Sequence, residues 1–447
     1  MTRSRLIRHT MYLSCSHFIV RAMGFVMRIW LSREMGAAAM GLVELAHSAQ
    51  MLLITPVVSG LPAAVSRMSA KATGNPAKQT RVLRCGMALS LIIGLPLCLA
   101  AFALRERLAL WLGDIRTLPA LIIYLPCIPV LGVSCALNGY YYGTSRPVPP
   151  ALSELLEQIV RFFLSIRLVS LLRGWPTTLR AAIPALGALV GETIGLFFML
   201  LLCARALLAR GMGSRREILG EMLSLALPLT GMRIVSALMR TVNATLIPAR
   251  LQLSGLPGNE ALSQLGMMNG MLIPMLMLPS FITCSLCMVS APELTRRQTQ
   301  GKPLRPLCRR ILLGTVGIGL FCMAGIALLA PLIAGKLYRQ AELLPLLRGC
   351  CPLIPLMALT QVLGGMMNGL GQQRQSLRIS LLSGVACVLA TYVLAALPAL
   401  RLRGALIATA LSQLITLVLS LVALKQTVSL HSECTSRSPE RARPHRW

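Results

Sequence analysis

Apolar runs of about 20 residues recur twelve times along this chain of 447, and no other feature constrains its fold as strongly. A run of that length crosses the bilayer's hydrocarbon core once as a helix. Inside lipid every backbone N–H and C=O must be satisfied without water, which leaves the helix as the spanning form for such runs. The runs fall near 9–31, 42–64, 84–104, 117–139, 151–172, 182–208, 219–248, 264–288, 308–332, 343–366, 375–397 and 403–425. The third is the cleanest, with Leu89, Leu91, Ile92, Ile93, Leu95, Leu97 and Leu99, whereas Arg233 and Arg240 interrupt the seventh. Mean hydropathy is +0.71 and 13% of residues are charged. A soluble domain carries roughly 25% charged residues, so this chain has too little polar surface to cover itself in water. The expected fold is an all-α polytopic membrane protein of about twelve transmembrane helices, and a soluble enzyme is excluded. The basic start (Arg3, Arg5, Arg8) leads into a first run that is longer than a signal h-region and lacks a clear small-residue cleavage site, so it reads as a helix that stays in the membrane.

The 44 Lys and Arg against 14 Asp and Glu give a net charge of +30. In water that excess would suggest nucleic acid; here it falls mainly in short gaps between apolar runs, where it sets orientation. One alternate set of gaps, with the N-terminus, Arg67, Lys71, Arg81, Arg215, Arg296, Arg305 and the tail, holds about 26 of the 44 by the positive-inside count. The other set holds about 12, which predicts that both termini are cytoplasmic in a bacterial plasma membrane. Cysteines such as Cys98, Cys127 and Cys322 sit within apolar runs as small hydrophobes, and Cys284 and Cys287 form a lone C-x-x-C in a helix-like segment.

The two halves echo one another. Leu137-Asn138-Gly139 closes the fourth run and Met367-Asn368-Gly369 the tenth, while Val65-Ser66 parallels Val289-Ser290. Six spans per half makes these parallel repeats, which suit alternating access by rocking about a central cavity. The expected division is a six-helix bundle over 1–210, a second over 211–426, and a basic, disordered cytoplasmic tail over 427–447.

Charges within a membrane span are costly and mark candidate functional positions. Arg21 and Arg28 lie two turns apart on one face of the first span. Arg233 and Arg240 repeat that spacing in the seventh. The fifth span carries Glu154, Glu157 and Arg161, the last two spaced to pair along one helix, and Glu192 stands alone in the sixth. Asp114 is the one aspartate and lies between spans. The five histidines are scattered, and there is no phosphate-binding loop, nucleophile elbow or H-E-x-x-H. No metal site and no bound cofactor are expected, and the chain reads as a transporter without catalytic machinery. Prolines at 56, 62, 126, 129, 274, 279 and 352 mark candidate bends.

Four stretches carry a family resemblance. Arg21-Ala22-Met23-Gly24-Phe25, followed by Gly36 and Gly41, resembles the opening of the MOP flippase superfamily. Gly60-Leu61-Pro62-Ala63-Ala64-Val65-Ser66 looks like that family's G-L-P-x-A-[IV]-S signature. Asn138-Gly139-Tyr140-Tyr141-Tyr142-Gly143 and the block Pro150–Arg161 are similar to the stage V sporulation protein B branch, and the block is the most specific part. The resemblance runs from about 5 to 425 and implies a MATE-like fold. It also implies export of lipid-linked cell-wall precursors, including those of the spore cortex. In the related lipid II flippases, arginines of the first helix face a cationic cavity and meet the lipid pyrophosphate. By motif match that role falls to Arg21, while Arg28 is one position beyond the second arginine of that pattern.

The expected function is therefore a flippase moving an undecaprenyl-pyrophosphate-linked saccharide by alternating access, most simply a lipid II-type peptidoglycan precursor. Arg21, Arg28, Arg233 and Arg240 would bind substrate; Glu154, Glu157, Arg161 and Glu192 would couple transport to an ion gradient or membrane potential, or pair structurally. Expected partners are the lipid-linked saccharide, membrane lipids and cell-wall synthesis enzymes, with no nucleic acid. The competing expectations are a cation-coupled drug antiporter of MATE type, which would depend on Glu157 or Glu192, and a non-transporting scaffold.

Overall fold

A computed structural model describes residues 3–208 and 214–436, with side chains placed for 16–208, 214–284, 286–287, 290–291 and 293–429. Among the described residues all regular structure is helical. Helix α1 (Arg3–Met35) contains no glycine except Gly24 and no proline, and it ends at Gly36, whose φ of +80° suits a residue without a Cβ. Helices α2 (Ala37–Val58) and α3 (Leu61–Lys71) divide one span at Ser59-Gly60, with Pro62 in the first turn of α3, where no N–H is needed. Helix α4 (Pro76–Ala103) opens on Asn75, whose side chain accepts from the Lys78 N–H at 3.0 Å. Short α5 (Arg105–Trp111) leads to a turn that Asp114 caps, then to α6 (Leu118–Tyr124) and α7 (Cys127–Gly143). Helices α8 (Val148–Leu171), α9 (Thr177–Leu208) and α10 (Arg215–Leu253) are unbroken.

Helix α11 (Gly258–Leu265) runs into a π-helical segment, Gly266–Leu272, and then α12 (Ile273–Leu276) and α13 (Ser280–Thr299). Helix α14 (Arg305–Leu332) is followed by α15 (Leu343–Cys350) and α16 (Leu353–Gly369), bent by 55° at the break containing Pro352. Helices α17 (Gln373–Leu394) and α18 (Leu402–Ser436) close the chain. The tail expected to be disordered from 427 instead continues α18 to Ser436, since no Gly or Pro interrupts it before Pro439. Residues 437–447 lie outside the described residues.

Each expected span falls on helical structure; the eighth, 264–288, is divided among α11, the π-helical segment, α12 and α13, and none of these counts as a candidate span. Among the described residues, eight helices are long and apolar enough to cross a membrane, or nine if the bent pair α15–α16 counts as one span. Helices α1 and α8 do not qualify because charge falls inside them: Arg21, Arg28, Arg33 and Glu34 in α1, and Glu154, Glu157, Arg161 and Arg167 in α8. The chain is a multi-pass helical membrane protein.

Packing divides the chain into two compact units, Met1–Met271 and Leu272–Trp447. The boundary falls later than the 210/211 division expected from repeats, because α10 and α11 pack on α2. The repeat is still visible inside each unit. In the first, α7 packs on α3, α4 and α9, and α8 packs on α9; in the second, α16 packs on α13, α14 and α18, and α17 packs on α18. The glycine that closes each echo packs against the partner helix, Gly139 against Pro62 of α3 and Gly369 against Ala291 of α13.

Candidate functional site

Positions 17, 21, 24, 28 and 32 of α1 are three or four apart and share one face. The residues are His17, Arg21, Gly24, Arg28 and Ser32. Helix α8 lies along the early turns of this stripe. Ser16 Oγ donates to the Ala151 carbonyl at 3.1 Å, and His17 Nδ1 lies 3.1 Å from Glu154 Oε2. Two turns further along α1, a Cβ on Gly24 would sit 3.6 Å from the buried Gln158 amide nitrogen.

Arg21 lies between these contacts, exposed, and forms neither ion pair nor hydrogen bond among the described residues. Arg28 is different. Its guanidinium is held by the Glu44 carboxylate of α2 and donates to the Asn269 carbonyl at 2.9 Å and the Gly270 carbonyl at 3.3 Å. The two arginines thus share a face, as the spacing requires, but Arg21 alone is unclaimed.

The α8–α9 crossing holds the carboxylates. Gly187, Gly191 and Gly195, four residues apart on α9, face Ser165, Arg161 and Glu157 of α8. Small residues at such spacing let helices approach closely in lipid. A Cβ on Gly195 would overlap the Glu157 carboxyl group. Glu157 Oε1 accepts from Ser153 Oγ at 2.9 Å. The expected pairing of Glu157 with Arg161 along α8 does not form. Arg161 Nη2 reaches across to Glu192 Oε1 at 2.7 Å, because the glycines bring α9 within its span. Glu192 is therefore the partner of an arginine and not an isolated carboxylate.

Helix α10 presents Arg233 and Arg240, both exposed and seven residues apart, with neither ion pair nor hydrogen bond among the described residues. The end of α1 is fixed by two arginines from elsewhere: Arg173 pairs with the Glu34 carboxylate at 3.0 Å, and Arg180 donates to the Glu34 carbonyl at 2.5 Å.

Sequence reasoning missed three residues that the structure brings in. Glu44 lies inside the second apolar run, so the cost rule that selected Arg21 selects it too. His17 pairs with Glu154, and His47, hydrogen-bonded to Gln50 at 3.2 Å, lies in electrostatic reach of Glu44, Arg28 and Arg161. The other histidines lie outside the residues whose side chains are described. Among the described residues no cluster of three or more His, Cys, Asp or Glu side chains could hold a metal ion. Chemically, the first unit offers two kinds of group: arginines without a counter-charge and arginines already paired with carboxylates. The former are suited to phosphate oxygens, for which a guanidinium fork is the natural partner.

Comparison with known proteins gives the family and the fold. The polysaccharide biosynthesis protein family model matches residues 6–298, well over half of the chain. Stage V sporulation protein B of Bacillus subtilis (strain 168) is 27% identical over 314 residues, a match taking in 68% of this chain and 60% of that protein, so the chain spans well under two thirds of this relative. Lipid II flippase MurJ of the same organism is 23% identical over 470 residues, covering 95% of this chain and 83% of that one. Among solved structures, an inward-facing multidrug resistance MATE family transporter of the MOP superfamily aligns with a TM-score of 0.76 at 16% identity, over 95% of this chain and 100% of the other. The fold is that of the MOP superfamily, and the chain belongs to the polysaccharide biosynthesis protein family.

Proposed function

We propose that this chain is a flippase that carries an undecaprenyl-pyrophosphate-linked saccharide from the cytoplasmic to the outer leaflet of a bacterial plasma membrane, and that a lipid II-type peptidoglycan precursor is its substrate. The observation that carries this reading is the set Arg21, Arg233 and Arg240: three cations within membrane-spanning helices that no carboxylate of the described residues neutralises. A charge left in that position is costly unless a ligand or water meets it, and a pyrophosphate is the complementary ligand. The relatives named for sporulation and for lipid II flipping support the same substrate class. Both termini lie in the cytoplasm, and the two halves rock to alternate access. The carboxylates Glu154, Glu157 and Glu192, with Arg161, are the groups through which an ion gradient or membrane potential would drive the cycle. A cation-coupled drug antiporter is the second reading, and the Glu157–Glu192 region of the first unit is the observation that favours it.

Native mass spectrometry of the purified protein with lipid II tests the proposal. Removing one charge-assisted phosphate contact costs about 1.5–3 kcal/mol, roughly ten- to a hundred-fold in affinity. Arg21→Ala should weaken lipid II by that factor, while binding of a plain anionic phospholipid stays unchanged. Lipid II binding no tighter than phosphatidylglycerol, with no response to Arg21→Ala, overturns the assignment.

A further inference from the structure

Arg28 makes three contacts, and all of them belong to the protein. Its Nη2 serves both the Glu44 carboxylate and the Asn269 carbonyl, and its Nε serves the Gly270 carbonyl. The two carbonyls lie in the π-helical segment Gly266–Leu272. There the ladder runs i→i+5, and each carbonyl oxygen has a second lone pair with which it accepts from a donor outside the segment. Ser32 Oγ reaches the same Gly270 oxygen at 3.4 Å.

The segment is seated on the start of α2 with almost no side-chain padding. A Cβ on Gly266 would overlap the Ala37 carbonyl, and one on Gly41 would overlap the backbone of Leu262. At the start of α11, Arg116 Nη1 donates to Asn259 Oδ1 at 2.7 Å. Residues 259–270 are therefore fastened by a glycine crossing and by two carboxylate-bound arginines: Arg116, which Asp114 holds through Nε and Nη2 while Nη1 reaches Asn259, and Arg28, which Glu44 holds. Only at Arg28 does one nitrogen, Nη2, serve both the carboxylate and the segment, so an anion there competes for the fastening itself.

The guanidinium geometry makes that competition direct. An oxyanion binds an arginine side-on through Nε and Nη2, or end-on through Nη1 and Nη2. Both modes use Nη2, whose two hydrogens already serve Glu44 and Asn269. A phosphate cannot take Arg28 bidentately without evicting one of them, and its own negative charge repels the Glu44 carboxylate.

We infer that Glu44 is a resident anion that holds Arg28 until a substrate phosphate displaces it, and that the displacement releases the π-helical segment from α1. Glu44 acts through Arg28 and is a positioning residue. The inference rests on the anionic-substrate reading above and gives it a mechanical consequence: occupancy of the arginine site loosens the fastening of 266–272.

Hydrogen–deuterium exchange on the full-length protein, with geranyl pyrophosphate as the probe and geraniol as its uncharged control, tests this. Saturating geranyl pyrophosphate should raise amide exchange over 266–272 several-fold, and geraniol should leave it unchanged. Glu44→Gln should raise exchange there without any ligand. It should also tighten geranyl pyrophosphate about tenfold, since one competing charged acceptor is gone. If the wild-type protein binds the probe while 266–272 keeps its protection, and Glu44→Gln binds no tighter, the displacement is wrong and the substrate reading survives. If the probe does not bind at all, the substrate reading fails and takes the displacement with it, even where Glu44→Gln still loosens the segment as a purely structural lock. The wild-type response alone decides the matter should Glu44→Gln fail to fold.

Discussion

The two units meet lipid in different ways. In residues 1–271 the helices carry charge in mid-span: Arg28 against Glu44, His17 against Glu154, Arg161 against Glu192, and the uncompensated Arg21, Arg233 and Arg240. In residues 272–447 the stretches 272–292, 311–335, 349–373, 379–400 and 404–424 contain no charged residue at all. Polar contacts there are neutral. Thr283 Oγ1 lies 3.3 Å from Gln361 Oε1, Thr360 Oγ1 donates to Gln413 Oε1 at 2.9 Å, and Ser412 Oγ donates to the Ser383 carbonyl at 2.9 Å. Hydroxyl–amide pairs are sufficient to hold helices together in lipid. Charge in a span exceeds what packing requires, and among these stretches it is confined to the first unit, where the proposed substrate arginines lie.

That contrast is open to attack from both sides. The largest effect should come from Glu192→Leu, which leaves Arg161 without its partner in the α8–α9 crossing; a largely buried pair broken this way costs about 3 kcal/mol. Thermal unfolding in detergent should show the loss, and Arg161→Met added to it should recover most of it. If the double variant also transports, the pair is structural; if it is stable but inactive, the pair belongs to coupling. Next comes Gly195→Val, whose added atoms would overlap the Glu157 carboxyl and force α8 from α9. Overpacking of this kind costs about 1–3 kcal/mol, seen as a lower melting temperature.

In the second unit, Gln361→Leu should cost only about 1 kcal/mol, the usual value of an interhelical hydrogen bond in lipid, and leave lipid II affinity unchanged. An affinity loss there as large as that of Arg21→Ala would erase the distinction between the units. The smallest effect should be at Glu293, beyond the apolar part of its span, where Arg296 and Arg297 hold the carboxyl down at about 2. A depressed carboxylate contributes stability above its unfolded value and loses it as pH falls toward 2. Glu293→Gln should therefore lower the melting temperature only slightly at neutral pH, because solvent screens the half-exposed pair, and the difference should vanish as pH falls toward 2.

The spans were legible in the sequence because lipid imposes a length and an apolarity that few other constraints produce. Arg21, Arg28, Arg161 and Glu192 were legible as costly positions. Their partners were not. Arg28 and Glu44 are 16 residues apart and Arg161 and Glu192 are 31 apart, so no helical spacing links either pair. The nearer pairing, Glu157 with Arg161, satisfied the i,i+4 rule and lost to a crossing that Gly191 and Gly195 make close. The π turn at 266–272 has no marker in Gly266-Met267-Met268-Asn269-Gly270 beyond its two glycines, since its cause is the seat on α2 and the donors of Arg28. The continuation of α18 past 427 was hidden by a polar composition that reads as tail when hydropathy alone is weighed.

Reconstitution decides whether the unclaimed arginines of the first unit carry a lipid pyrophosphate across the bilayer. Proteoliposomes loaded with fluorescent lipid II would be assayed for leaflet exchange with the wild-type chain, with Arg21→Ala/Arg233→Ala/Arg240→Ala, and with Gln361→Leu. Exchange with wild type and Gln361→Leu, abolished in the triple arginine variant, is the expected result. Exchange by the triple variant at the wild-type rate would contradict it.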